Sequence, residues 1–399
     1  MGLDNIEDWI EYCKRLRDNV VSEDAESKEK KYLLANFTGT EQQKDIEART
    51  PLIDDYFRVK INVKAFDETE MQRKGKHAID FYDNKQVFDS LADEFDMPYW
   101  AFMSLKNTPL RDFNNTFIYQ LKACNTDCPW CYVDDCNKNG EKGNGKFFSL
   151  NEIFDVFEKK SMTQNIRNFR PSGGEPTLAV EQWLESLKQI EKRGLNVYVQ
   201  GDTNLTTGHF MDYLEKDDWS LETHILEKVG EHDNFGLLCS FKGTDEESFL
   251  EACGFMKNEN GKFVPDKKFA FLENERWYTF EKLTRAGIDT YPFIYAPNPK
   301  TVEKFMDSGA RMFGEGFYLK TWIVKLKLYG PEKERLSRLG ISSEDYQKKL
   351  DSDFAASKEV MQNLIQKKYG LNYQAVPRTG IKLYKKVMSP LFSERKIKL

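Results

Sequence analysis

The chain has 399 residues, 40% of them hydrophobic and 14% aromatic, with a formal net charge of −6. That suffices for a sizeable core, in one large domain with an attachment or two modest ones. Both charge signs are plentiful, so composition gives neither an acidic solvating tail nor the Lys and Arg excess of a nucleic-acid partner, and no apolar run approaches the ~20 residues of a membrane span. The start, Met1 to Trp9, is acidic and lacks a signal-peptide pattern, so the expected compartment is the cytoplasm.

In chain order, the spacing of Ile6, Trp9, Ile10 and Cys13 predicts a helix over Asp4–Arg17. Ser22–Lys31, nearly all charged or small, reads as a solvated helix or linker, and Asp55–Val63 and Pro98–Ser104 read as strands. From about residue 115 strands and helices alternate. Phe117–Leu121 is a strand, and Ser149 with Glu152 forms a capping box that opens a helix. Ile166–Arg170 is the second strand. Leu178–Arg193 is the clearest helix, with Val180, Trp183, Leu184, Leu187 and Ile190 on one face and Gly194 placed to end it. Leu195–Val199 is a third strand, Leu221–Val229 a helix and Gly236–Phe241 a fourth strand. Gly254–Lys268 reads as a flexible loop. Glu273–Arg285 is a helix, Ile288–Tyr295 a strand, Thr301–Met312 a helix and Tyr318–Leu328 a long final strand, before a mostly helical segment whose longest piece is Asp345–Lys368.

Six alternating units imply a parallel sheet and fall short of the eight of a closed barrel. The expected fold is α/β: a partial (β/α)6 TIM-like barrel over residues 115–329, with an N-terminal α+β extension (1–114) and a mostly helical C-terminal extension (330–399).

The seven cysteines are Cys13, Cys124, Cys128, Cys131, Cys136, Cys239 and Cys253, an odd number that argues against a disulfide framework. Cys124, Cys128 and Cys131 form CxxxCxxC directly after the first strand. Thiolates suit zinc or iron–sulfur clusters. Three of them can hold three irons of a [4Fe–4S] cluster and leave the fourth open to a ligand. A structural zinc would need a fourth ligand, such as Cys136 or a histidine; otherwise Cys136 is a bystander thiol. After the second strand, Gly173-Gly174-Glu175-Pro176 allows close backbone approach to a ligand and offers a carboxylate to an ammonium group; the plainer alternative is an ordinary βα turn. Asp202-Thr203-Asn204 ends the third strand and Ser240-Phe241-Lys242-Gly243 the fourth, where barrel enzymes place their chemistry.

The cysteine motif, with aromatic Trp130 before its last cysteine, and the GGEP motif some forty residues later together resemble the radical S-adenosylmethionine (SAM) superfamily over residues ~115 to ~330. The resemblance implies a [4Fe–4S] cluster on Cys124, Cys128 and Cys131, with Trp130 packed near it and Gly173, Gly174 and Glu175 holding the amino group of SAM. It implies reductive cleavage of SAM to a 5′-deoxyadenosyl radical, with flavodoxin or ferredoxin as electron donor. CPWCY and the DTN segment are similar to glycyl-radical-enzyme activases. There, Asp202 and Thr203 would help form a monovalent-cation site beside SAM, with Asn204 in the same cofactor-binding segment, and Lys242 would reach the SAM carboxylate, with Ser240 standing where that branch has Asp. A protein or peptide substrate is then expected, a glycyl radical enzyme among them. A small metabolite is the alternative within the superfamily, and a non-catalytic zinc or iron–sulfur protein the alternative outside it. His224 and His232 read as structural or surface residues and His209 as a loop residue. Tyr291, Tyr295 and Trp322 read as core or pocket walls, and Lys320, Lys325 and Lys327 as anion contacts or solvent-facing groups.

Overall fold

The computed structural model describes residues 3–46, 50–60, 97–106 and 115–373, with 376, 378 and 381–383. Helix α1 (Ile6–Val20) is capped by Asn5, whose side chain accepts from the Asp8 amide, and it buries Trp9, Cys13, Leu16 and Val20. Strands β1 (Val21–Glu23) and β2 (Lys30–Leu34) follow as an antiparallel pair. They replace the expected linker because the Asp24 carboxylate accepts from the Glu26 and Ser27 amides, at 3.1 and 2.9 Å, and turns the chain back on itself. Helix α2 (Glu41–Ile46) and strand β3 (Arg58–Lys60) come next. Residues 61–63 of the expected strand lie outside the described residues. Pro98–Ser104, expected as a strand, lies in helix α3 (Met97–Leu105). Proline is tolerated in a helix's first turn, and Tyr99 and Phe102, one turn apart, pack together on Tyr198 at 5.8 and 4.7 Å.

The remaining elements are β4 (Asn115–Gln120), β5 (Lys146–Ser149), α4 (Leu150–Gln164), β6 (Ile166–Ser172), α5 (Glu181–Lys192), β7 (Tyr198–Thr203), α6 (Gly208–Lys216), α7 (Ile225–Gly230), β8 (Phe235–Lys242), α8 (Glu246–Cys253), β9 (Met256–Glu259), β10 (Lys262–Pro265), α9 (Phe271–Arg285), β11 (Asp289–Tyr295), α10 (Val302–Phe313), α11 (Gly316–Lys320), β12 (Trp322–Ile323), α12 (Gly330–Arg338) and α13 (Ser343–Tyr369). The Ser149–Glu152 capping box is present as the spacing predicts.

The main sheet has seven strands in the order β12-β11-β8-β7-β6-β4-β3. Neighbours from β4 to β12 are parallel, and β3 closes the β4 edge antiparallel. The order follows the sequence, so each strand is joined to the next by a helical crossover, as parallel pairing requires. The result is an α/β architecture around one large parallel sheet.

Several boundaries differ from those expected. The third strand is Tyr198–Thr203 rather than Leu195–Val199, which carries Asp202 and Thr203 into the ladder. The helix expected at Leu221 begins at Ile225. Gly254–Lys268 contains the β9–β10 hairpin, its turn made by Asn260 and Gly261 at φ 52° and 84°; consecutive positive φ values are what an Asn-Gly hairpin turn supplies. Tyr318–Leu328 is one helical turn and then only two paired residues. Phe317, Tyr318 and Leu319 are all buried, and such a continuous apolar run has no period to separate strand from helix. Helices α6 and α8 have no counterpart among the expected elements.

The N-terminal segment is joined to the parallel core. β2 pairs with β5 across the boundary expected at residue 114, and β3 extends the main sheet. Arg17 donates to both oxygens of Glu181, at 2.9 and 2.5 Å, and to the Leu178 carbonyl at 2.8 Å. Lys30 adds a contact of 3.1 Å to the same carboxylate. Burial acts to raise the Glu181 carboxyl, but the Arg17 charge and hydrogen bonds outweigh it and bring it down to about 2. No helix among the described residues is long and apolar enough to cross a membrane.

Removing one member of a buried pair leaves the other charge uncompensated. Arg17→Met should therefore lower stability by about 3–5 kcal/mol in urea unfolding, and Arg17→Met with Glu181→Gln should recover part of that loss. An Arg17→Met protein as stable as wild type would contradict the burial of this pair.

Candidate active site

The C-terminal ends of β4, β6, β7, β8 and β11 border a cavity of about 650 Å³, within the roughly 300–1,000 Å³ of small-molecule sites. Cys124, Cys128, Trp130, Cys131, Gly173, Gly174, Glu175, Asp202, Asn204, Ser240 and Lys242 all line it. Sequence positions scattered over 120 residues thus meet at one place, because every strand of a parallel sheet ends on the same edge.

The two glycines dock the turn after β6 onto the end of β4. Gly174 has φ +56°, and a Cβ there would sit 2.0 Å from the Ala123 carbonyl oxygen. At Gly173 a Cβ would fall 2.2 Å from Gln120 Cγ. The next amide, of Glu175, donates to the Ala123 carbonyl at 2.6 Å. One glycine pair therefore locks the turn directly against the residue preceding Cys124. Glu175 is buried. Its carboxylate accepts from the Asn204 amide at 2.6 Å and from the Thr177 amide at 3.2 Å. Burial pushes the Glu175 carboxyl up.

Asn204 ties the ends of the third strand and the cysteine loop together. Its Nδ2 donates to Asn125 Oδ1 at 2.6 Å and lies 3.4 Å from Thr126 Oγ1. Thr126, which no motif marks, sits among these groups. Its hydroxyl lies 3.4 Å from Cys124 Sγ and 3.6 Å from Cys128 Sγ, and accepts from Lys242 Nζ at 3.1 Å. Lys242 is buried. Desolvation pulls its ammonium down, but Cys128, Cys253, Cys124 and Glu175 outweigh that and hold it above the ordinary lysine value. Burial pushes the Cys124 thiol up to about 11 and also raises Cys131.

Asp202 is engaged from within the chain: Arg170 donates to both of its oxygens at 2.9 Å. A guanidinium thus already balances the carboxylate that the resemblance places beside a cation, with Ser240 nearby on the cavity wall. Trp130 stacks parallel on Tyr295 with ring centroids 5.2 Å apart. His209 pairs with Glu275 and stacks on Tyr278, outside the cavity. Lys320 pairs with Asp289, whereas Lys325 and Lys327 line the cavity. Cys136 is exposed and away from it.

Among the described residues no three His, Cys, Asp or Glu side chains converge on one metal-ion position. A cubane cluster takes its cysteines at separate corners, so it needs thiols around a shared space rather than on one point. Cys124, Cys128 and Cys131 all line this one cavity, with no other cysteine and no histidine among its described lining residues. Gln120 Oε1, Trp130 Nε1, both side-chain amide atoms of Gln42 and Glu332 Oε1 are buried without a hydrogen-bond partner among the described residues, and the residues that carry them are among those lining the cavity.

Gln42, Asp45 and Glu332 belong to the two terminal segments, so the cavity is walled partly by residues outside the parallel sheet. Neither contribution carries a sequence motif. Burial raises Glu332 to about 7. No protein-family model matches the chain, and no curated protein sequence matches it.

The docked glycine turn and the buried Glu332 each set a measurable expectation. Gly194 has φ +63° and open space within 4 Å of the position a Cβ would take, whereas at Gly174 a Cβ meets backbone at 2.0 Å. Gly194→Ala should cost about 1–2 kcal/mol for the left-handed conformation alone, and Gly174→Ala clearly more, by urea unfolding; equal losses would contradict the docked turn. For Glu332, the folded-state value of about 7 exceeds the unfolded value near 4.3. Its favourable contribution is complete below the unfolded value and is lost as pH rises through 7. Glu332→Gln should gain stability relative to wild type between pH 5 and pH 8; a pH-independent difference would contradict the burial of this carboxyl.

Proposed function

We propose that the protein is a radical SAM enzyme whose parallel sheet works as a partial (β/α)6 barrel, with the cavity at its C-terminal edge as the active site. The observation that carries the reading is the convergence of the CxxxCxxC thiols, the glycine pair with Glu175, and Lys242 on one cavity. Cys124, Cys128 and Cys131 would hold a [4Fe–4S] cluster and leave one iron for SAM. That cluster, when bound, supplies the single electron that cleaves the sulfonium of SAM, drawn from a flavodoxin- or ferredoxin-type donor.

The chain's own residues then have separate tasks. Glu175 offers a carboxylate to the amino group of SAM and, through the Asn204 amide, fixes the end of the third strand. Lys242 supplies a buried positive charge for the SAM carboxylate and is steadied by Thr126. Trp130, stacked on Tyr295, shields the cysteine side of the cavity from water. Arg170 fixes Asp202 in the position where the resemblance puts a cation contact. A protein or peptide is the proposed substrate, and the wall that Gln42 and Glu332 of the terminal segments add to the cavity supports a small metabolite as the alternative.

The test is an anaerobic reaction of iron–sulfide-reconstituted protein with dithionite and SAM, with 5′-deoxyadenosine detected by mass spectrometry. Wild type and Cys136→Ala should form it, and Cys128→Ala should not. A wild-type protein that assembles a cluster yet neither binds nor cleaves SAM would replace this reading with an electron-transfer or structural role.

A further inference from the structure

We infer that Arg335, on α12 of the C-terminal segment, is the positioning residue of the three-thiol loop: it holds the loop in its cluster-accepting shape and raises the cluster's reduction potential. The inference rests on the cluster reading above.

The loop from Cys128 to Asp135 lies between strand and helix and makes little use of its own backbone groups; Cys131 donates to the Cys128 carbonyl at 3.1 Å. Three of its carbonyls turn to one side chain. Arg335 Nη1 donates to the carbonyls of Cys128, at 3.3 Å, and Cys131, and Nη2 donates to that of Val133. Arg335 Nε donates to Asp135 at 2.6 Å. The residue is 3% exposed, so these bonds are made away from water. A planar guanidinium has five donors in a fixed fork, and here the fork spans the loop from its second thiol to four residues past its third. An ammonium could reach one or two of these acceptors.

Asp135 is gripped in turn by Arg338. Burial acts to raise its carboxyl, but the hydrogen bonds from Arg335 and Arg338, with the charges of Arg335 and Lys138, bring it down to about 2. The neighbouring carboxylate, Asp134, accepts from the Glu41 and Gln42 amides at 3.1 and 3.0 Å. Two consecutive acidic residues are thus the points at which the two terminal segments seize the loop. The same guanidinium lies against the thiol-bearing residues, donating to the backbone carbonyls of Cys128 and Cys131 themselves. A cluster on three thiolates becomes more negative on reduction, so a fixed positive charge beside it favours the reduced form and raises its potential.

The experiment uses full-length wild type, Arg335→Met, Arg335→Lys and Asp135→Asn, each reconstituted anaerobically. It reads iron release to a chelator and the potential of the cluster in a dye-mediated titration followed by electron paramagnetic resonance. Arg335→Met should release iron about 10–100-fold faster, as losses of groups supporting metal ligands typically do, and its potential should move negative. Arg335→Lys keeps the charge without the fork: it should release iron faster while its potential stays nearer to wild type. Wild-type release and wild-type potential in Arg335→Met would overturn the inference. Should Arg335→Met fail to fold, unchanged iron release in both Arg335→Lys and Asp135→Asn overturns it equally. A wild-type protein that takes up no cluster defeats the cofactor reading, whereas a wild type that loads beside indifferent variants defeats the role of Arg335 alone.

Discussion

A loop that carries three thiols into a protein interior must have its backbone groups satisfied without a helix or sheet ladder. The rest of this structure depends on how that is done. The Cys124 amide donates to the Lys138 carbonyl at 2.8 Å, and the Asp127 amide to the Cys253 carbonyl at 3.0 Å. Asn204 binds Asn125 from the third strand, and Arg335 gathers the carbonyls around Cys128, Cys131 and Val133. The loop is therefore shaped from outside, by the end of β7, the α8 terminus and the C-terminal segment together.

The same constraint accounts for the placement of charge. Lys242, Lys138 and Arg335 are all buried near the thiols. Buried cations are costly unless anions meet them. Lys138 meets Asp127 and Arg335 meets Asp135, whereas Lys242 faces thiols, Glu175 and the Thr126 hydroxyl. Arg170 and Asp202 neutralise each other on the opposite wall. Each buried cation beside the thiols is thus met by an acidic group, Asp127, Asp135 or Glu175.

The legible part of the fold was the part with local cause. The Ser149–Glu152 capping box, the apolar stripe from Trp183 to Ile190 and the strand ends carrying Cys124, Gly173 and Lys242 all lie where pattern put them. The cavity residues were found because their motifs are short and sit at strand ends. The errors have equally definite causes. The segment at Pro98 is a helix because tertiary packing on Tyr198 outweighs its aromatic, strand-like composition, and the segment at Tyr318 had no period to read. Thr126 lay inside the motif without a residue type that marks chemistry. Gln42 and Arg335 matter through contacts spanning from 92 to 207 residues of chain, which no single-sequence pattern encodes. The terminal segments accordingly looked like attachments, although they wall the cavity and grip its loop.

The most direct test of the account is the electron paramagnetic resonance spectrum of the anaerobically reconstituted, dithionite-reduced protein, recorded with and without SAM. A reduced [4Fe–4S] signal that changes shape when SAM is added is the predicted result, because the cluster on Cys124, Cys128 and Cys131 leaves one iron for SAM to bind. A cluster signal indifferent to SAM, or protein that retains zinc and no iron, would contradict it.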